Sequence, residues 1–220
     1  MARGSKLIAI IKCFLGGMVM LVAISPVSIA IAASYDDLLA QAKGGSAAVD
    51  FTTLRYAYAG SSQYNPYDAK ESELRALMQK AYEDKNYPEA IKQAQAILDS
   101  DFVNIDAHII SDLSFRRLNQ PQQAKYHEQI VRGLIQSIAA SGDGKTPETA
   151  FVVISISEEY SLLFVRGLKK VKQALRRAGD HRYDQMSVED KSGGKDEIFF
   201  NIDRPESWFR AHNKPGNNAH

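Results

Sequence analysis

A spacing of 34 residues, repeated between Glu71 and Ala140, constrains this chain more than any other feature of its sequence. Leu74, Leu77, Met78, Ala81 and Tyr82 fall at the three- and four-residue steps of one helix face. They predict a helix that starts near Ser72. Asn86-Tyr87-Pro88 interrupts the run, and a proline there suits the first turn of a second helix. Its inner face would carry Ala90, Ile91, Ala94, Ile97 and Leu98, with an end near Asp101. The arrangement then returns: Ala81 maps onto Phe115, Ala90 onto Ala124, Ile97 onto Val131, and the turn Lys85-Asn86-Tyr87-Pro88 onto Asn119-Gln120-Pro121-Gln122.

Such a period, with a small residue early in the second helix, resembles the tetratricopeptide helix pair, in which alanine lets two antiparallel helices approach closely. Tyr87, Ala90 and Ile97-Leu98 sit where that repeat has its aromatic, its alanine and its closing apolar pair. Asp112 and Ser111 stand where the second copy should have leucine and a small residue, and Phe102 where the first should have proline. One fair copy and one degenerate copy are too few for a solenoid, so other elements must cap the stack.

Ahead of the repeats, Asp36-Asp37-Leu38-Leu39 suggests a short amphipathic helix, followed by Gly44-Gly45-Ser46 and Val49 to Arg55. The Ser61 to Asp68 segment, with Tyr64-Asn65-Pro66-Tyr67 inside it, has the content of an ordered turn. Behind the repeats, Ser141-Gly142-Asp143-Gly144 stops the last helix and the apolar period changes to two. Phe151 to Ser157 is β-branched and predicts a strand. Further strand-like runs lie at Tyr160 to Val165, Tyr183 to Val188 and Ile198 to Ile202, and Ser192-Gly193-Gly194-Lys195 reads as a hairpin turn. Leu168 to Ala178 fits either a helix or a strand. The expected fold class is therefore α+β: tetratricopeptide-like antiparallel helix pairs over residues 34–141, a small antiparallel β-sheet over 142–212 packed on the helices, and a disordered tail at 213–220.

Residues 1–33 divide as a secretory signal should. Arg3, Lys6 and Lys12 form a basic start, Cys13 to Ile24 an apolar run, and Ala30-Ile31-Ala32 the small-x-small pattern of a cleavage site after Ala32 or Ala33. The run is short of the roughly 20 apolar residues that span a bilayer, although Ile29 to Ala33 prolong it and leave an uncleaved anchor as the rival reading. Export to the periplasm or the medium follows. Cys13 is the single cysteine and lacks a lipoprotein context, so the cleaved chain holds no disulfide, thiol nucleophile or thiolate metal site. Cleavage also leaves 24 basic against 26 acidic residues. That balance argues against a nucleic-acid partner.

The run Gly142-Asp143-Gly144-Lys145-Thr146-Pro147-Glu148-Thr149-Ala150-Phe151-Val152-Val153, with Glu158-Glu159-Tyr160, Tyr183-Asp184 and Phe200-Asn201-Ile202-Asp203, resembles an exported bacterial family, domain of unknown function 4919. The resemblance covers most of the chain behind the signal. It implies a helical, repeat-like front and a β-rich back. It supplies no activity, and marks only the motif itself: Gly142, Asp143, Gly144, Thr146, Glu148, Glu159 and Tyr160.

Several patterns invite chemistry. Gly144-Lys145-Thr146 has the end of a phosphate loop, but Ala139 occupies the required glycine position and the segment leaves a helix for a strand, the reverse of that loop's order. His108 and Asp112 lie one helical turn apart and His127-Glu128 follows on the next helix, a possible metal bridge. Without a His-x3-His or His-Glu-x-x-His spacing they are expected as partly exposed polar residues on the concave face, and neither a metal nor a cofactor is expected. No nucleophile signature is present, the serines near Ile154 being read as alternating along a strand, so no catalytic residue is assigned. Asp143, Glu148, Glu158 and Glu159 could supply a carboxylate pair for hydrolysis. The expectation is instead that Asp143 shapes the turn and Glu148 and Glu158 are solvated. Arg166, Lys169, Lys170, Lys172, Arg176, Arg177 and Arg182 form a basic cluster, read first as a solvated face and otherwise as a contact for a membrane surface, an envelope polymer or an acidic protein patch. No apolar stripe wide enough for membrane insertion accompanies it.

These readings lead to an exported binding or scaffolding module rather than an enzyme. Its helices would present a groove to another envelope protein or a peptide, through Tyr82, Asn104, His108, Asn119 and Tyr126, with Lys169, Lys170 and Lys172 as a basic contact. The alternative is an envelope hydrolase or carbohydrate-active enzyme using carboxylates near the Asp143 loop, which demands a deep pocket with at least two perturbed acids. A purely structural role would show neither feature.

Overall fold

A computed structural model describes residues 34–45 and 49–213. The expected signal peptide, Ser46 and the tail beyond Asn213 lie outside those residues. The chain forms α1 (Tyr35–Lys43), α2 (Phe51–Ala59), α3 (Ala69–Glu83), α4 (Tyr87–Leu98), α5 (Ile105–Arg117), α6 (Pro121–Ala139), β1 (Phe151–Val152), α7 (Ile156–Val165), β2 (Lys169–Ala178), β3 (His181–Glu189), β4 (Lys195–Asn201) and α8 (Asp203–His212). Among the described residues eight α-helices and four strands make the α+β fold. None of the described helices is long and apolar enough to cross a membrane.

The 34-residue spacing is written into the backbone. Lys85 and Asn119, 34 positions apart, both adopt the left-handed conformation, at φ 61° and 56°. The residue after each closes the same bond: Asn86 N–H donates to Ala81 O and Gln120 N–H to Phe115 O, both at 2.9 Å. Helix ends are fixed by caps. Asp68 accepts from Lys70 N–H and starts α3 three residues before Ser72. Asn86 and Asn104 cap α4 and α5. Helix α4 stops at Leu98, short of Asp101, whose carboxylate instead takes Val103 N–H at 3.1 Å and shapes the bend into α5. Ala90 and Ala124 are buried between paired helices, with Met78, Ala94, Ile97 and Ala107 around Ala90. Where α2 crosses α6, a Cβ on Gly133 would stand 2.1 Å from the Phe51 ring, so glycine sets that approach.

The back of the chain departs from the strand-rich expectation. The sheet runs β1-β4-β3-β2, and β1 lies parallel to β4, with Phe151 opposite Phe200, so the sheet is mixed rather than antiparallel. Only Phe151–Val152 of the β-branched run is strand. Ser155 accepts from Glu158 N–H and caps α7, so Tyr160 to Val165 is helix, and the serines near Ile154 do not alternate along a strand. Burial of Leu162 and Leu163 holds α7 against the core. Leu168 to Ala178 resolves as strand because β3 pairs with it from Lys169 to Ala178, with a bulge between Lys170 and Lys172. The hairpin turn at Ser192 to Lys195 joins β3 to β4 as expected.

A single cluster of buried side chains draws Leu54 from α2, Leu134 and Ile138 from α6, Phe151 from β1, Leu162 from α7, Met186 from β3 and Phe200 from β4. Inside it lies a buried ion pair. Arg55 donates to both oxygens of Glu158, at 2.8 and 2.6 Å, to Ser137 Oγ at 2.8 Å and to Val152 O at 3.1 Å. Glu158 also accepts from Ile154 N–H at 2.9 Å. The expected solvation of Glu158 is thereby overturned: a carboxylate this enclosed persists because a planar guanidinium meets it with two parallel bonds.

Candidate functional site

Helices α3 and α5, the first members of the two pairs, and α7 surround a groove of about 570 Å³. Met78 and Tyr82 come from α3, Ile109, Ile110 and Leu113 from α5, and Tyr160 and Phe164 from α7. Met78 and Ile110 are buried and form the floor, whereas Phe164 is 65% exposed and stands on the rim beside open space. Helix α5 explains the groove's character: its apolar residues exceed what one packing face needs, so Ile109 and Leu113 remain to line a second face.

One end of the groove is polar but electrostatically closed. Arg75 pairs with Glu71 at 2.6 Å and with Asp106 at 3.2 Å, and Ser161 Oγ donates to Asp106 at 2.6 Å, tying α7 to α5. The two charged lining residues, Arg75 and Asp106, are therefore spent on each other. What remains is an apolar surface that can bury side chains, and no nucleophile or free acid projects from it.

The structure scatters the residues expected along the groove. Tyr82 lines it, as does Tyr160 of the motif. Asn104 does not: it is buried at the start of α5, accepting from Ala107 N–H at 3.1 Å and donating to Glu71 at 2.9 Å. Asn119 sits in the α5–α6 turn, in its left-handed conformation. Tyr126 lines a separate hollow beside Phe51 and Gly133. His108 and His127 are buried rather than partly exposed, with their Nδ1 atoms 2.8 Å apart. His108 Nε2 lies 2.8 Å from Phe102 O. A carbonyl only accepts, so Nε2 of His108 carries the hydrogen and His127 Nδ1–H donates to His108 Nδ1. Burial pushes both imidazoles down, to about 3 for His108 and about 4 for His127, keeping the pair neutral. Asp112 turns away to Arg116 at 2.7 Å. Among the described residues no group of three or more His, Cys, Asp or Glu is placed to hold a metal.

The motif loop reads as architecture. Asp143 accepts from Lys145 N–H at 3.0 Å and Thr149 Oγ1 at 2.6 Å, bonds that hold its carboxyl below the usual range. Thr146 and Thr149 close the following turn, and Glu148 beside them is exposed. A Cβ on Gly142 would stand 2.2 Å from Thr149 O, and one on Gly144 2.3 Å from the Phe151 ring, so both glycines let the loop lie flat against the sheet. Neither Asp143 nor Glu148 has the raised proton affinity the hydrolase reading demands. The raised acids lie elsewhere. Glu159, fully buried on α7 with neither oxygen engaged in a hydrogen bond, is pushed up to about 9, first by burial and then by Asp184 beside it. Asp184 is raised as well, again chiefly by burial, and takes Gln173 Nε2 at 2.7 Å. Both are enclosed rather than presented to a substrate.

Lys169, Lys170 and Lys172 lie on β2, and Lys170 Nζ stands 4.7 Å over the Tyr160 ring. Ile109, Leu113 and Phe164 are groove residues that sequence reasoning missed. The surplus of apolar positions on α5 was the available signal for the first two. The family model described as Domain of unknown function (DUF4919) matches residues 36–209. No curated protein and no solved structure matches the chain.

Proposed function

We propose, for a chain that belongs to the family of domain of unknown function 4919, an exported protein-interaction module whose groove between α3, α5 and α7 takes an apolar segment of another envelope protein or peptide. One observation carries the reading: three helices turn aromatic and aliphatic side chains into one open hollow whose charged lining residues are already paired. An apolar groove of this size is suited to anchoring a few large side chains of a partner segment, as helical grooves do. A charged ligand would find both charged lining residues, Arg75 and Asp106, already paired. The basic start, apolar run and cleavage pattern of residues 1–33 support a periplasmic or secreted setting.

The test is site-specific photocrosslinking in cells, with the crosslinker at Gln79 in the groove and, as control, at Lys191 on the far hairpin. A discrete adduct is expected from Gln79 and not from Lys191. Phe164→Asp, on a rim residue whose exposure spares the core, should abolish it without changing the thermal unfolding of the protein. An adduct that survives Phe164→Asp, or equal labelling from both positions, refutes the groove.

A further inference from the structure

We propose that the outer edge of β2 is a docking strand for an acidic, extended segment of a partner protein. Among the described residues the order β1-β4-β3-β2 leaves β2 with one neighbour. Ten residues of backbone, Lys169–Ala178, thus turn one row of N–H and C=O groups away from the sheet. An edge of that length is a template for one further strand, in which main-chain hydrogen bonds supply affinity and alternate side chains supply selectivity. Val171 and Leu175 stand on it 50% and 61% exposed. Val171 also lines two hollows, of about 300 and 330 Å³, whose other walls come from β2, β3, β4 and the hairpin between β3 and β4.

Charge decides what that strand must be. The pairing with β3 places Lys169, Lys172 and Arg176 on one face of β2 and Lys170 and Arg177 on the other. Among the described residues, Lys169, Lys172 and Arg176 meet no carboxylate within ion-pairing distance, and Arg177 reaches only Asp180, at 4.0 Å. A second copy of this edge would bring the same cations together and be repelled, so self-pairing is disfavoured. A membrane or a flat polymer would touch the cations of one face alone. An acidic strand added at the edge meets both sets, above and below the sheet. The bulge between Lys170 and Lys172 leaves Val171 without a partner on β3.

The experiment uses the full chain purified after export and two synthetic peptides of repeating Glu-Glu-Val-Val, which turns glutamates to both faces of an extended strand, one of them with all its backbone amides N-methylated. The plain peptide should bind and slow hydrogen exchange in residues 169–178. N-methylation should weaken it by about tenfold or more, since it removes the main-chain bonds and leaves the charge. Lys172→Glu with Arg176→Glu should weaken the plain peptide by a similar factor, and Phe164→Asp should leave it unchanged, separating this surface from the groove. Equal binding of both peptides overturns strand addition, as does the failure of the plain peptide to bind. Anionic phosphatidylglycerol vesicles that bind as well as the plain peptide, with no protection of β2 amides, would also overturn it in favour of a membrane contact.

Discussion

Replacing Glu159 by glutamine should make the protein more stable at neutral pH, by roughly 3 kcal/mol. The Glu159 carboxyl is fully buried and titrates near 9, against 4.5 when the chain is unfolded. Between those values the folded state holds a proton that the unfolded state has released, so stability is complete below about 4.5 and falls as the pH rises through the window. At pH 7 some 2.5 units of it have been crossed, and at about 1.36 kcal/mol per unit the loss is roughly 3 kcal/mol. Glutamine keeps the shape and the neutral state but cannot ionise. Urea unfolding of both proteins at several pH values, extrapolated linearly to water, gives the comparison. The two should nearly coincide at pH 4.5 and diverge upward in favour of Glu159→Gln, by roughly 3 kcal/mol at pH 7. Parallel pH profiles, or a variant less stable at pH 7, would refute the reasoning and mean that Glu159 is ionised and held by Lys170.

Two further outcomes follow from the buried polar groups. Arg55→Met leaves Glu158 in the core without its partner and should cost about 3–5 kcal/mol in the same urea assay, while Arg55→Met with Glu158→Leu should recover much of it; a cost below about 1 kcal/mol would contradict the buried pair. The histidines act with the opposite sign to Glu159. Their folded values, about 3 and about 4, lie below the unfolded 6.5, so stability is complete above 6.5 and falls as the pH drops toward 4. His127→Asn, which keeps a donor near Nδ1, should lower the slope of stability against pH between about 6.5 and 4.5 by about one proton's share, ~1.4 kcal/mol per pH unit, and an unchanged slope would count against the buried neutral pair.

The helix pairs were legible because a local period dictates them. Pro88, Asn86 and the alanines at 90 and 124 mark positions that recur at 34, and the left-handed Lys85 and Asn119 obey the same count. Helix α7 was not read, since Phe151 to Ile156 carries a strand's β-branched composition and Tyr160 to Val165 an undivided apolar run. The contrary cue was local and small: Ser155 followed three residues later by Glu158, the pattern of a helix start. Misreading α7 also hid a wall of the groove. His108 was placed on a helix face, but whether that face meets solvent or His127 depends on how α5 and α6 rotate against each other, which periodicity does not encode. Arg55 and Glu158 lie 103 positions apart, beyond any local pattern. Strand β2 needed β3 beside it to choose between two periods.

That same separation gives the chain a built-in sense of completion. A nascent or partly threaded polypeptide that has delivered only α1 to α6 holds Arg55 among apolar neighbours with no carboxylate to meet it, and leaves Leu134 and Ile138 without Phe151 and Phe200 to cover them. Helices α3 to α5 share a small core of their own, but α2 and α6 lack the cover that β1 and β4 bring. Locking waits until position 158, and then the strand carrying Phe200, arrives from the far end. The core around Arg55 therefore closes only when nearly all of the chain has come through.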